Sequence, residues 1–518
     1  MTKRRAVQVA ERGRMAGVPL DVADLRRRVE ARPVVRRIST ALTNPRRSAM
    51  LQALLVVTLA AAVWTYVAAT AQRHGFFDLR VYYGAINYWQ HSDGQIYDFL
   101  LPRTEYGFTY PPFGAVTMLP MALVGWHVAI VISVLLTLAA VYALVRLLVE
   151  PIIKRQGWPR WFALGLTVVA LAGYESVHET VTFGQVNLLL VAVVALDVLL
   201  LVRKDHRLAG IGIGLATAVK LTPGIFIVYL LVTRRWRAAG MATAAFSTAT
   251  WLAATLAPDA SRVFWTDALW DTSRVGRDAF VSNQSLNGMV ARLYAPEHSA
   301  KLVWLALVAV VFAIWVVRVR RAVAARDEVA ALALTGLLGC LVSPITWVHH
   351  LVWTLPAFIV LIDHAVHPAA DRRRRYRLMA AAVVVYLVMS SQIVWHFKYH
   401  FGGLGIVGSN ACVLVMLALL VGLPVREPSA SSSSPPGSRR PIEQDVPDLV
   451  ELDRRVTAAF DAKDAGLPVE VPQAEGLPAE ILPADVPPAE AVPVDGRFPV
   501  DGRAADGPAG TMVQAERP

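Results

Sequence analysis

Residues 113–149 read FGAVTMLPMALVGWHVAIVISVLLTLAAVYALVRLLV, 37 residues whose only charged side chain is Arg146. A bilayer crossing needs roughly 20 apolar residues for about 30 Å of hydrocarbon. The run exceeds that, and Pro120 near its start marks a short surface piece before a full span. Working outward, further apolar segments lie at 51–71, 161–177, 186–202, 208–233, 238–257, 301–318, 328–345, 350–363, 377–396 and 404–424. The pattern predicts an all-α polytopic membrane protein with roughly 11–12 crossings. Composition agrees: 55% of the 518 residues are hydrophobic, 17% are charged and mean hydropathy is +0.46. Soluble domains carry about 25% charged residues, so a water-soluble enzyme is excluded. Cys340 and Cys412, both inside apolar runs, offer no basis for a disulfide framework, a cysteine zinc site or an iron–sulfur cluster.

The net charge of +12 conceals an asymmetry. Residues 426–518 hold 17 acids against 9 bases, leaving the remainder near +20. Positive excess on a membrane protein marks cytoplasmic loops, and no nucleic-acid partner is expected. Residues 1–49 form an Arg-rich arm, read as cytoplasmic and suited to anionic membrane lipids. With that arm inside, the clusters Arg146/Lys154/Arg155/Arg160, Arg203/Lys204/Arg207, Arg234/Arg235/Arg237, Arg318/Arg320/Arg321 and Arg372–Arg375 also fall inside, provided 208–233 crosses twice around Lys220-Leu221-Thr222-Pro223. Residues 50–425 are then the membrane domain, and 426–518 an acidic, Pro/Ala-rich, disordered cytoplasmic tail. Leu449, Leu452, Val456 and Phe460 in that tail stand at helical spacing. A partner of the tail would be cytoplasmic, and the sequence does not identify it.

The complementary segments 72–112, 175–185, the Lys220 turn, 258–300, 346–350 and 397–403 face outward and gather the polar chemistry. Asp78 follows the first span among Phe76, Phe77, Tyr82 and Tyr83, beside Arg80. Burial against aromatic rings would raise its pKa, a neighbouring arginine would lower it, and an acid so placed can take a proton from an alcohol. The plain alternative is a solvated loop carboxylate. A lysine inside apolar sequence costs about 2.5–3.5 kcal/mol on insertion scales and is usually functional. Lys220, with Pro223 breaking the helix, therefore suits a phosphate or phosphodiester, against the alternative of snorkelling. Ser343-Pro344-Ile345-Thr346-Trp347-Val348-His349-His350 supplies two histidines, one of which can relay or orient a proton. Adjacent residues do not share a helix face, and with no ligand spacing no metal site is expected. Tyr174–Thr180, with Glu175, His178 and Glu179, reads by default as a solvated loop. Gly184-Gln185-Val186-Asn187 and Ser282-Asn283-Gln284-Ser285 add amides suited to sugar hydroxyls, and Asn283 matches a weak glycosylation acceptor pattern. The outer segments are too short for a nucleotide-binding α/β domain, and no Gly-rich phosphate fingerprint is present. An activated substrate would arrive carried on a lipid.

In order, Asp78-Leu79-Arg80-Val81-Tyr82, Tyr97-Asp98, Phe108-Thr109-Tyr110-Pro111-Pro112-Phe113, Gly184-Gln185-Val186-Asn187, Lys220-Leu221-Thr222-Pro223, Asn283-Gln284-Ser285-Leu286-Asn287-Gly288 and the Ser343–His350 block resemble actinobacterial GT-C glycosyltransferases. They are most similar to the polyprenol-phosphate-mannose-dependent α-(1→2)-mannosyltransferases of glycosyltransferase family 87. The resemblance covers about residues 50–425 and excludes arm and tail. It implies a GT-C fold in the plasma membrane with an extracytoplasmic active site and a polyprenyl-phosphate-mannose donor. The implied acceptor is a phosphatidylinositol mannoside or lipomannan, with neither metal nor cofactor. By resemblance Asp78 is the essential first-loop acid and His349/His350 the second catalytic element. Around them Lys220, Arg80, Tyr82, Tyr110, Glu175, His178, Gln185, Asn187, Asn283 and Gln284 are expected to hold donor phosphate and substrate. An arabinofuranosyltransferase of the same family is one alternative reading. A secondary transporter or flippase is another, although transporters place polar sites near the midplane and often show repeated halves. A cell-wall scaffold acting through its tail is a third.

Overall fold

The structure is a computed structural model that describes residues 45–70, 74–92, 94–271, 274–294, 300–398, 400 and 402–426. Most of the basic arm and the tail, with its 448–461 helical pattern, lie outside the described residues. Every apolar segment becomes a helix or a broken helix. The chain begins with α1 (Pro45–Thr70), so Arg46 and Arg47 at the end of the arm already belong to a helix. Next come α2 (Phe77–His91), α3 (Pro112–Met118) and α4 (Trp126–Gln156), the last with a π-turn at Val145–Val149. Then follow α5 (Arg160–Gly173), α6 (Glu175–Phe183) and α7 (Asn187–Lys204). After α8 (Ile211–Val219), α9 (Ile225–Val232) and α10 (Trp236–Leu256), two short helices, α11 (Pro258–Val263) and α12 (Leu286–Leu293), occupy the second outer segment. The chain closes with α13 (Lys301–Ala324), α14 (Glu328–Val342), α15 (Leu355–Val366) and α16 (Arg372–Ser390). The last three helices are α17 (Ile393–His396), α18 (Leu404–Ser409) and α19 (Ala411–Gly422).

Among the described residues four helices are long and apolar enough to cross a membrane singly: Ser48–Thr70, Trp126–Gln156, Lys301–Ala324 and Val348–Val366. The pair α6/α7, bent by 115°, qualifies together as a fifth. The other apolar segments are shorter helices, because proline, glycine and polar residues interrupt runs that hydropathy alone reads as continuous. Segments 72–112 and 258–300, read from sequence as loops, contain α2, α11 and α12, each with buried residues.

Two helices form the centre. In α14, 13 of 15 residues are buried, and α7 buries Leu188, Leu190, Val191, Val194 and Val198. A helix apolar all round belongs inside a bundle. By contrast α4 leaves Val131, Leu135 and Leu138 exposed, as expected where hydrocarbon is the solvent. Two clusters of charged groups inside this frame are ion-paired. Arg235 binds Glu328, which also accepts from the Tyr229 hydroxyl at 2.8 Å. Asp363 joins Arg155 and Arg426. Cys340 and Cys412 are buried free thiols.

Candidate active site

Beside the break between α6 and α7, the helices enclose a cavity of about 770 Å³. Asp78, Tyr82, Tyr110, Gln185, Lys220, His349 and His350, remote in sequence, all line it.

Three local features assemble them. Gly184 ends α6 at φ +71, a left-handed cap that glycine adopts without steric cost. A Cβ there would stand 2.6 Å from the Cβ of Leu79, so this glycine also lets α2 lie against the elbow. The backbone N–H of Phe76 donates to the Thr182 carbonyl at 2.8 Å, which sets the first turn of α2, and Asp78 in it, beside Gln185. Second, α8 stops at Val219 and Lys220 is extended, so its side chain leaves the helix for the cavity. Buried Asp197 of α7 anchors the other end of α8, accepting from the N–H groups of Gly210 and Ile213, each at 2.9 Å. Third, the amide of Asn283 donates to the carbonyls of Asp278 (3.0 Å) and Pro344 (3.2 Å) and accepts from the Thr346 N–H at 2.9 Å. The Gln284 N–H adds a bond to the Thr346 carbonyl at 2.7 Å. These bonds hold the short 3₁₀ turn Val348–Thr354, which carries both histidines.

The polar groups form one connected line. Gln185 Nε2 donates to Asp78 Oδ2 at 2.6 Å and lies 3.4 Å from His349 Nε2, while its Oε1 accepts from the Tyr110 hydroxyl at 2.8 Å. The Tyr82 hydroxyl meets that of Tyr110 at 2.8 Å. Lys220 Nζ lies 3.2 Å from the Tyr110 hydroxyl, 2.9 Å from Asn187 Oδ1 and 3.1 Å from His350 Nε2. The two imidazoles are nearly perpendicular, at 87°, and serve different partners. Donor and acceptor chemistry constrains the protons. The Trp347 backbone N–H can only donate, and it points at His350 Nδ1 at 3.1 Å. A neutral His350 then carries its proton on Nε2 and donates it to Lys220 Nζ. That nitrogen must offer a lone pair, leaving two protons for Tyr110 and Asn187. Every bond of the network closes with Lys220 as a neutral amine. Burial raises Asp78 to about 6, against the opposing hydrogen bond from Gln185. Burial likewise pushes the Tyr82 and Tyr110 hydroxyls up, so they stay neutral donors.

Other expected residues are placed elsewhere. Arg80 is exposed; its Nε donates to the Gly75 carbonyl at 2.9 Å and its guanidinium lies 5.6 Å from the Trp126 ring. Glu175 is buried and accepts from Trp395 Nε1 at 2.7 Å. His178 and Glu175 lie outside the cavity lining. Asn187 is behind the lining, reaching it through Lys220. Asn283 and Gln284 are fully buried. Gln284 Nε2 donates to the carbonyls of Val281 (2.6 Å) and Ser409 (2.8 Å). Their amides hold backbone instead of facing sugar, and Asn283 is not an accessible glycosylation site. The stretch read as a solvated loop, 174–180, is the buried start of α6. Two further groups line the cavity, with Nε2 and Oε1 3.6 Å apart: His74, which the sequence did not single out, and Glu179, read there as part of a solvated loop. A signal existed: Glu175, Glu179 and Phe183 share a helical spacing of four, and His74 stacks on Phe183 at 3.7 Å. Among the described residues no three His, Cys, Asp or Glu side chains come together as a metal site.

The elbow gives a direct prediction. Gly184→Ala places a β-carbon against Leu79 in a left-handed backbone, at an expected cost of about 1–3 kcal/mol. It should lower the melting temperature of the purified protein and, by displacing Gln185, lower activity further than stability alone requires. Unchanged melting and turnover would show that the elbow tolerates a side chain.

Residues 108–344 match the profile of Glycosyltransferase family 87. The chain is 33% identical over 342 residues to a polyprenol-phosphate-mannose-dependent α-(1-2)-phosphatidylinositol pentamannoside mannosyltransferase of Mycobacterium tuberculosis, covering 65% of this chain and 76% of that one. It is 31% identical over 319 residues to the enzyme of the same description from Mycolicibacterium smegmatis, covering 60% and 74%. A polyprenol-phosphate-mannose-dependent α-(1-2)-phosphatidylinositol mannoside mannosyltransferase of M. tuberculosis is 33% identical over 267 residues, covering 49% and 61%. No solved structure matches the chain.

Proposed function

The chain belongs to glycosyltransferase family 87, and from that membership and the cavity we propose that it moves mannose from polyprenyl-phosphate-mannose to a phosphatidylinositol mannoside or lipomannan acceptor, forming an α-(1→2) linkage. It is a multi-pass membrane glycosyltransferase. The observation that carries the mechanism is the line Asp78–Gln185–Tyr110–Lys220 within one cavity. Asp78 is the base. It takes the proton of the acceptor hydroxyl as that oxygen bonds to the anomeric carbon and the carbon–oxygen bond to phosphate breaks. The electron pair of that bond stays on the phosphate, and one displacement inverts the anomeric centre. The leaving phosphate gains negative charge, which Lys220 stabilises. Lys220 takes up a proton when the anionic donor arrives and exchanges its bond with His350 for one with phosphate. His349 orients Gln185 and through it Asp78. The basic clusters of the sequence support a plasma-membrane orientation with both termini cytoplasmic and the cavity outside.

The deciding experiment incubates membranes with labelled polyprenyl-phosphate-mannose and a panel of phosphatidylinositol mannosides, followed by linkage analysis. An α-(1→2)-linked mannolipid is expected. Transfer only from polyprenyl-phosphate-arabinofuranose would replace mannose as the sugar, and no glycosyl transfer would end the proposal.

A pH profile tests the base. The reactive form of Asp78 is the carboxylate, so kcat/KM for the acceptor should fall tenfold per unit as pH drops below about 6. A profile flat from pH 5 to 8 would remove Asp78 as base.

A further inference from the structure

Part of the cavity wall is aromatic. Trp347, Phe280 and Trp395 all line it. The Phe280 centroid lies 6.0 Å from Trp347 and 5.9 Å from Trp395, edge-on to both at 72° and 68°. Trp347 immediately precedes the histidine turn and packs against Gly276, where a Cβ would stand 2.8 Å from the indole. Trp395 sits on the single turn α17, a weak support by itself. Its ring is fixed from outside: Nε1 donates at 2.7 Å to Glu175, a carboxylate buried on α6. Burying a carboxylate is costly unless it is hydrogen-bonded, and Glu175 is bonded both to this indole and to the backbone of Gln392, at the start of the same turn. The same helix carries Glu179 and Phe183 to the cavity, so α6 ties this wall to the Asp78 side.

We propose that Trp347, Phe280 and Trp395 form a mannoside-binding subsite for the acceptor glycan, with Glu175 as the positioning residue for Trp395. The assignment rests on the mannosyltransferase reading above. A pyranose presents an apolar C–H face that packs on the electron-rich face of an indole, and rigid rings offer that area at low entropic cost. The donor end of the cavity is already defined by Lys220 and its polar partners. An acceptor with several sugars needs further oriented surface, which these rings offer, with Lys398 Nζ 5.5 Å from the Phe280 centroid. A prenyl chain also packs on aromatic rings, but a flexible hydrocarbon gains little from an indole held in one plane, whereas a stacking sugar depends on that plane.

The test uses the full-length protein in nanodiscs. Equilibrium binding of octyl α-D-mannopyranoside, measured by saturation-transfer NMR without donor, is compared between wild type and Trp395→Ala. Affinity should fall by about tenfold or more, as for truncation of a buried aromatic anchor. In transfer assays the same variant should raise the acceptor KM by about tenfold while donor KM stays within about twofold. Trp395→Phe should be intermediate. Glu175→Gln keeps an oxygen that accepts from the indole and should behave as wild type; Glu175→Leu should resemble Trp395→Ala. Failure of the wild type to bind the mannoside, or equal binding and acceptor KM in Trp395→Ala, would overturn the proposal. A rise in donor KM alone would assign the wall to the prenyl donor and overturn it too. If the wild type binds mannoside but transfers no mannose, the subsite stands and the transfer reading fails.

Discussion

Asp78→Asn should reduce mannosyl transfer by about 10²–10⁴-fold, the usual worth of a general base, while the protein still folds and inserts. The substitution preserves shape and removes only the proton-accepting charge. It also separates chemistry from stability. Burial raises Asp78 from 3.8 to about 6, so the folded state holds its proton more tightly than the unfolded chain does. The contribution to stability is therefore largest below pH 4 and is lost as pH rises through about 6. At pH 8 the ionised carboxylate costs stability, and Asp78→Asn should melt no lower than wild type. Transfer assays in purified nanodiscs, with melting curves alongside, check both halves. An active Asp78→Asn enzyme would shift the base to another group. An inactive enzyme that also melts far lower would make the loss structural.

Lys220→Met should lower kcat/KM for the donor by about 10²–10³-fold, the cost of losing one preorganised stabiliser of developing charge. Acceptor KM should change little. Methionine fills the space of the lysine stem, so the comparison isolates the nitrogen. Lys220→Arg is the sharper variant. Arginine keeps the charge but spreads it over a planar fork that does not match a compact ammonium placed between Tyr110, Asn187 and His350. Lys220→Arg should therefore remain at least tenfold impaired despite its charge. Wild-type turnover in Lys220→Arg would show that a permanent cation suffices. Unchanged donor dependence in Lys220→Met would mean that Lys220 only snorkels.

The membrane class, the helices and the ordered motif blocks were legible in the chain because each is a local property. Apolar run length reports a bilayer solvent wherever the partners lie. A lysine and proline inside such a run announce a break. Lys220 was singled out this way, whereas Asp78, Gln185 and the histidine pair were named through the ordered blocks that resemble the family; all of them line one cavity.

Facing and partnership were not legible. Asn283, Gln284 and Gln185 are all amides in polar blocks, yet the first two hold the backbone of neighbouring segments and the third binds Asp78. Arg80 lies two residues from Asp78 but turns to Gly75 and Trp126. Glu175, four residues before a cavity acid, turns to an indole 220 positions away. Composition and spacing name the groups a chain possesses, because they depend on neighbours in sequence. Which lone pair meets which proton depends on helices crossing at one elbow, and only the packed bundle decides that.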